Sequence, residues 1–294
     1  MRCPKRPSRN YGLDLARITA AFMVVEGHLL YGGSFDLTNT FTGNNEALPL
    51  LQNAQFGALD SYLLKTLGTA LAIIEVALFF LISGWLMPAM LDRYPRHKFI
   101  MGRIARIFPM LLVAVSVAAA IQYFGGNKTT LDLSDVVATA TLTNYFFGKQ
   151  LSLGVVWTLI VEFEFYLLLS ILGPLTQGKI FFTSFGIISL TLFSLFAWHI
   201  PAKALIDLSY LLLMLAGSSL FVASRKFIDS PKIVFIAPPV LIILAFLLDR
   251  HLITGMLGLR LPQDINPATL LISGSLFGIF LYAGNAVSGQ RWIC

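Results

Sequence analysis

The chain has 294 residues, of which 56% are hydrophobic and only 12% charged, with a mean hydropathy of +0.77. Soluble domains carry about 25% charged residues, so an ordinary globular protein is excluded. The net charge of +6 falls in short loops between apolar stretches, which fits membrane topology and excludes a nucleic-acid partner.

In lipid, only helices or closed barrels satisfy their own backbone polar groups. The two-residue alternation of a barrel is absent, so the expected fold is an all-α, polytopic transmembrane bundle forming a single domain. Apolar stretches of the length needed to cross ~30 Å of hydrocarbon lie at 13–33, 67–91, 108–124, 153–173, 180–199, 204–222, 233–249 and 268–287. A ninth candidate, 133–148, is short and Thr-rich, and it reads as re-entrant, interfacial or spanning. Eight or nine spans result. Cys3 and Cys294 lie at the chain ends, so no disulfide framework is indicated. No His/Cys spacing suggests a metal.

The basic N-terminus looks like the start of a signal peptide. Asp14, Arg17, Glu26 and His28 in the apolar segment that follows mark it instead as a retained first helix. Arg17 and His28 are 11 residues apart, which is about 20° past three whole turns, so they share a face roughly 16 Å apart along the axis. Asp14 lies one turn before Arg17, at ion-pairing distance. Ionisable groups within a span are costly and by default mark function.

A long external loop, 34–66, is polar at first and helix-like near its end. In the second span, Ser83–Gly84 is the small-residue pair that lets membrane helices approach closely, and Glu75 is a carboxylate in an apolar setting. The loop that follows carries Arg93, Arg96, Lys98, Arg103 and Arg106, with Pro109 opening the third span. Lipid headgroups or topology explain such a cluster first, but it is also dense enough to grip a multiply phosphorylated ligand. With 133–148 not spanning and the N-terminus cytoplasmic, 14 Lys/Arg fall inside and 6 outside, in line with the positive-inside rule. The fourth span holds Trp157, Glu162, Glu164 and Tyr166, with Tyr166 one turn after Glu162 on the same face. His97, His199 and His251 lie in a loop or at span ends, where solvated or interfacial roles suffice.

Four patterns in this order resemble the acyltransferase 3 family of membrane proteins. They are Leu13–Asp14…Arg17…His28, then Phe79–Phe80…Ser83–Gly84, then Arg103…Arg106…Pro109, and finally Trp157–Thr158–Leu159…Glu162…Phe165–Tyr166. The resemblance covers about residues 10–290, and it departs from the family in lacking the glycine after the first-helix arginine. Family members have about ten spans and continue into a further helix, so a C-terminally truncated member is expected. The resemblance implies transfer of an acyl group, most often acetyl, from cytoplasmic acyl-CoA to a hydroxyl of an envelope or exported glycan. No permanently bound cofactor is implied; acetyl-CoA is a co-substrate, and a lipid-linked or exported glycan and membrane lipids are the partners. The expected location is the bacterial cytoplasmic (inner) membrane.

In that scheme Arg103 and Arg106, helped by Arg93, Arg96 and Lys98, hold the CoA phosphates. The pantetheine arm passes Arg17 towards His28. His28, with an ordinary pKa of about 6.5, acts as general base or becomes an acyl relay. Glu162 or Asp14 orients a base or an arginine, while Ser83, Gly84, Trp157 and Tyr166 complete the structural motif. A transporter or flippase is the alternative use of intramembrane charge. It would favour paired broken helices in two inverted halves, and the sequence shows no such symmetry.

Overall fold

The computed structural model describes residues 12, 14–20, 22, 58–124, 132–144, 147–149, 151–152, 156–197, 202–224, 240–244, 246–248 and 267–288. Among them every regular element is a helix and none is a strand. The elements are α1 Ala58–Leu91, α2 Arg96–Phe124, α3 Leu133–Ala140, α4 Val156–Leu172, α5 Gln177–Ala197, α6 Ala202–Ser224 and α7 Pro267–Ser288. Residues 14–20 of the first predicted span are also helical. Among the described residues, two helices are long and apolar enough to cross a membrane, at Ile74–Leu91 and Arg96–Ile121, and shorter apolar helices cover Leu208–Ser224 and Thr269–Tyr282. His28, the external loop up to residue 57 and most of the predicted span 233–249 lie outside the described residues.

α1 is the hub. It packs most extensively on α6, and also on α7, α4 and α2. Its seam with α6 is closed by glycines: a side chain at Gly84 would land on the Met214 carbonyl, and one at Gly217 would land on the Leu81 carbonyl. Ser218 Oγ uses this proximity to donate to the Gly84 carbonyl at 2.9 Å. Small residues perform this service between membrane helices because apolar side chains gain nothing by leaving lipid. Around the seam Phe80, Leu81 and Ile82 meet Leu212, Leu213 and Ala216, all fully buried. Phe80, Trp157, Tyr210 and Phe246 form a continuous ring cluster with centroids 5.1–6.1 Å apart.

The structure differs from the sequence expectation at α2. The helix begins at Arg96, inside the predicted basic loop, and Pro109 lies within it rather than opening it. Arg, Lys, Met and Ile are good or adequate helix formers, and Pro95 directly precedes the first turn, its carbonyl accepting from the Phe99 amide at 3.0 Å. One stripe of α2 faces inward: Phe99, Arg103, Ile107, Leu111, Val115 and Ala118. Its other faces expose Met110, Val113 and Val117, an apolar exterior suited to lipid.

The segment 133–148 does not cross as a helix. α3 has 8 residues, or about 12 Å, and turns follow it. α4 stops at Gly173, whose φ of +66° is open to glycine at no cost. Beyond α4, Lys179 Nζ donates to the Leu172 carbonyl at 2.8 Å, and Arg96 donates to the Ile171 carbonyl at 3.4 Å. These cations satisfy and complement the negative end of the helix.

Candidate active site

The two polar side chains that α4 buries stand one turn apart. Glu162 and Tyr166 are at i and i+4, so the Tyr166 hydroxyl reaches the Glu162 carboxyl and donates to its Oε1. The same oxygen accepts from Ser83 Oγ of α1 at 3.2 Å. Ser83–Gly84, read from sequence as one packing motif, therefore divides its work. Gly84 lies against α6, while Ser83 turns to α4 and joins a polar centre. A buried carboxyl group without partners costs several kcal/mol, and two hydroxyl donors here remove that cost.

Arg103 approaches this centre from α2. It was expected on the basic cytoplasmic surface with Arg106, yet it is 93% buried, at 7% exposure. The cause is its place in the inward stripe of α2, four residues after Phe99 and four before Ile107. Its guanidinium reaches the Met87 and Met90 sulfurs at 3.7 and 3.3 Å. It also lies 6.0 Å from the Phe99 ring centre and 5.8 Å from that of Tyr166. Thioethers are weak acceptors, and Arg103 Nε has no hydrogen-bond partner among the described residues. A cation set among sulfurs and ring faces, beside Tyr166 and Glu162, keeps capacity for a further anion.

The first predicted span adds Arg17, half-buried. Arg106, Tyr166, Glu162 and Asp14 act on it electrostatically, so Arg17 lies within the field of the same centre. Glu162 in turn lies within the fields of Arg17 and Arg103. Arg17, Ser83, Arg103 with Arg106, and Glu162 with Tyr166 come from four separated stretches of chain, and the fold brings them together. Asp14 lies on its margin.

Arg93, Arg96, Lys98 and Arg106 are exposed near the start of α2, forming a basic rim beside the buried centre. Arg96 is also engaged with the end of α4. Trp157 lies about one turn and a half before Glu162 on α4, within the ring cluster that seals that end of the centre. His28 lies outside the described residues. Sequence reasoning missed Met87, Met90 and Phe99 as the surroundings of Arg103; the four-residue recurrence of apolar residues at 99, 107, 111 and 115, a row that includes Arg103, is the signal that turns Arg103 inward. Among the described residues no group of His, Cys, Asp or Glu is placed to hold a metal.

An apolar all-helical bundle that buries a carboxyl group, two hydroxyls and the Arg103 guanidinium, with Arg17 half-buried beside them and Arg106 exposed at the edge, has the equipment of a group-transfer enzyme working on an anionic substrate. The chain belongs to the acyltransferase 3 family: the family model, described as an acyltransferase domain, matches residues 10–293. No curated protein and no solved structure matches the chain.

Proposed function

We propose that the protein is a multi-pass membrane O-acyltransferase of eight spans, since 133–148 does not cross. It moves an acyl group, acetyl first among the candidates, from cytoplasmic acyl-CoA to a hydroxyl of a cell-envelope or exported glycan. The observation that carries this proposal is the convergence of Arg17, Ser83, Arg103, Glu162 and Tyr166 on one centre inside an acyltransferase-family chain. Isolated packing or topology roles would not require these residues to meet.

The bundle lies in the bacterial inner membrane with its N-terminus cytoplasmic. The short α3 supports this orientation, since it is the case in which positive charges divide 14 to 6 in favour of the inside. The exposed Arg93, Lys98 and Arg106, with Arg96, take the outer phosphates of CoA, and Arg103 receives an anionic group that passes the rim. Glu162, anchored by Ser83 and Tyr166, orients Arg17. His28 takes the proton of the acceptor hydroxyl as its oxygen attacks the thioester carbonyl. The carbon–sulfur bond then breaks and CoA leaves as a thiolate that is protonated on release. In the relay variant His28 first carries the acyl group itself.

Membranes containing the protein, incubated with acetyl-labelled acetyl-CoA, are expected to place label in alkali-labile form on polysaccharide. His28→Ala is expected to abolish that label while the protein remains inserted. Retained wild-type labelling in His28→Ala would remove His28 from the scheme. Absence of label with the wild-type protein would favour transport without chemistry.

A further inference from the structure

α4 buries Glu162 on one side and carries a second carboxyl group on the other. Glu164 lies two residues further on, about 200° around the helix, so it turns away from Ser83 and the polar centre. It is the middle residue of α4, with eight residues on each side between Val156 and Leu172, about 12 Å from either end. In the multi-pass reading above, on which this inference rests, Glu164 therefore sits at mid-depth of the membrane.

Glu164 is only partly buried, and among the described residues no charge or hydrogen-bond partner acts on its carboxyl group. An ionisable group within a span marks function by default. The transfer centre already has its carboxyl group in Glu162, so Glu164 serves something else.

The face to which Glu164 belongs is open. Leu167 and Ile171 follow it at three and seven residues, on the same side of the helix, and they are 43% and 74% exposed. The sectors to either side are closed. Phe163 meets Phe108 of α2 edge to face with centroids 5.8 Å apart, while Leu168 and Leu172 join the main core. Towards the start of α4 the same side is covered, since Ile160 is buried with Leu111, Val115 and Leu142. The open face begins at Glu164 and runs to the end of α4.

A phospholipid tail matches Leu167 and Ile171 but offers the carboxyl group no partner. A second copy of the chain offers one. Two copies of a membrane protein insert in the same direction, so the two-fold axis of their dimer runs along the membrane normal and identical residues meet at identical depth. A protonated carboxyl group is also self-complementary, because its O–H donates and its other oxygen accepts. Between helices in lipid, where apolar side chains gain nothing by leaving the tails, such polar contacts drive association. We propose that a second copy of this chain docks on the Glu164, Leu167 and Ile171 face of α4, with the two Glu164 carboxyl groups hydrogen-bonded to each other.

The test counts photobleaching steps of fluorescently labelled full-length protein in liposomes of phosphatidylethanolamine and phosphatidylglycerol, over a range of protein-to-lipid ratios. Wild type is expected to show a two-step population that gives way to single steps on dilution. Glu164→Leu, whose side chain suits lipid, is expected to weaken association about tenfold. Glu164→Gln, which keeps a donor and an acceptor, stays within about threefold of wild type. With Cys3→Ser and Cys294→Ser in the background, Leu167→Cys is expected to give a dimer with a short bis-maleimide cross-linker. Single steps for wild type at every ratio, or equal association by wild type and Glu164→Leu, would overturn the inference. Two-step Leu167→Cys protein that does not cross-link would also overturn it, because the copies would then meet elsewhere. Single-step wild type holding a phospholipid that Glu164→Leu no longer retains would assign the face to lipid instead. Extraction of wild type from membranes by alkaline carbonate would overturn the membrane reading and this inference together.

Discussion

Ser83 and Tyr166 donate to the same Glu162 oxygen from different helices, and this shared acceptor is where the centre is most exposed to single changes. Tyr166→Phe keeps the ring against Phe99, whose centroid lies 6.0 Å away, and deletes only the hydroxyl. A buried polar group left short of a donor costs about 1–3 kcal/mol, so transfer is expected to fall about 10–100-fold with protein levels unchanged. Steady-state acetyl transfer by membranes normalised for protein content measures this, and a rate within twofold of wild type would contradict it. At this scale the sequence is informative in a graded way. The Glu162–Tyr166 contact follows from a four-residue spacing on one helix. The burial of Arg103 was equally present in the apolar period of α2, but a basic run beside a proline reads as a loop, and helix propensity together with packing of the opposite residues decided otherwise. The Ser83–Glu162 contact joins positions 79 apart in the chain. It depends on how α1 and α4 meet, which no local pattern encodes.

Helices α1 and α6 define the element scale, because their backbones touch at Gly84 and Gly217. Gly84→Ala would drive a Cβ into the Met214 carbonyl, a backbone atom that cannot rotate away. Overpacking costs about 1–3 kcal/mol, and more when backbone must move. A marked loss of monodisperse protein in detergent size exclusion is therefore expected. Gly102→Ala supplies the contrast: nothing lies within 4 Å of the added carbon, and alanine favours a helix over glycine by about 1 kcal/mol, so yield and melting temperature should hold or rise. Equal tolerance of both substitutions would contradict the proposed seam. The small-residue pair was legible as a packing signal, whereas its partner helix was not. α3 shows the complementary case: 133–148 was apolar but too short and Thr-rich to classify by hydropathy, and the Asp132 cap with the turn at Leu142 makes it a short, non-crossing helix.

For the whole molecule, composition alone predicts an all-helical, lipid-compatible fold, and the described residues contain helices and no strand. Charge follows the same logic at long range. The basic rim gathers near the start of α2, and the polar centre lies in the bundle interior. In the proposed function, a donor whose phosphates remain in water reaches that interior point from the basic rim. The account therefore depends on the buried centre being catalytic rather than a polar lock between helices. Glu162→Gln separates these roles, since it retains size and hydrogen-bonding capacity while removing the carboxyl group that faces Arg17 and Arg103. The decisive measurement is acetyl transfer from labelled acetyl-CoA by membranes carrying equal amounts of wild-type and Glu162→Gln protein. The account predicts a loss of about 100-fold or more in kcat with unchanged insertion and thermal stability; transfer within threefold of wild type would contradict it.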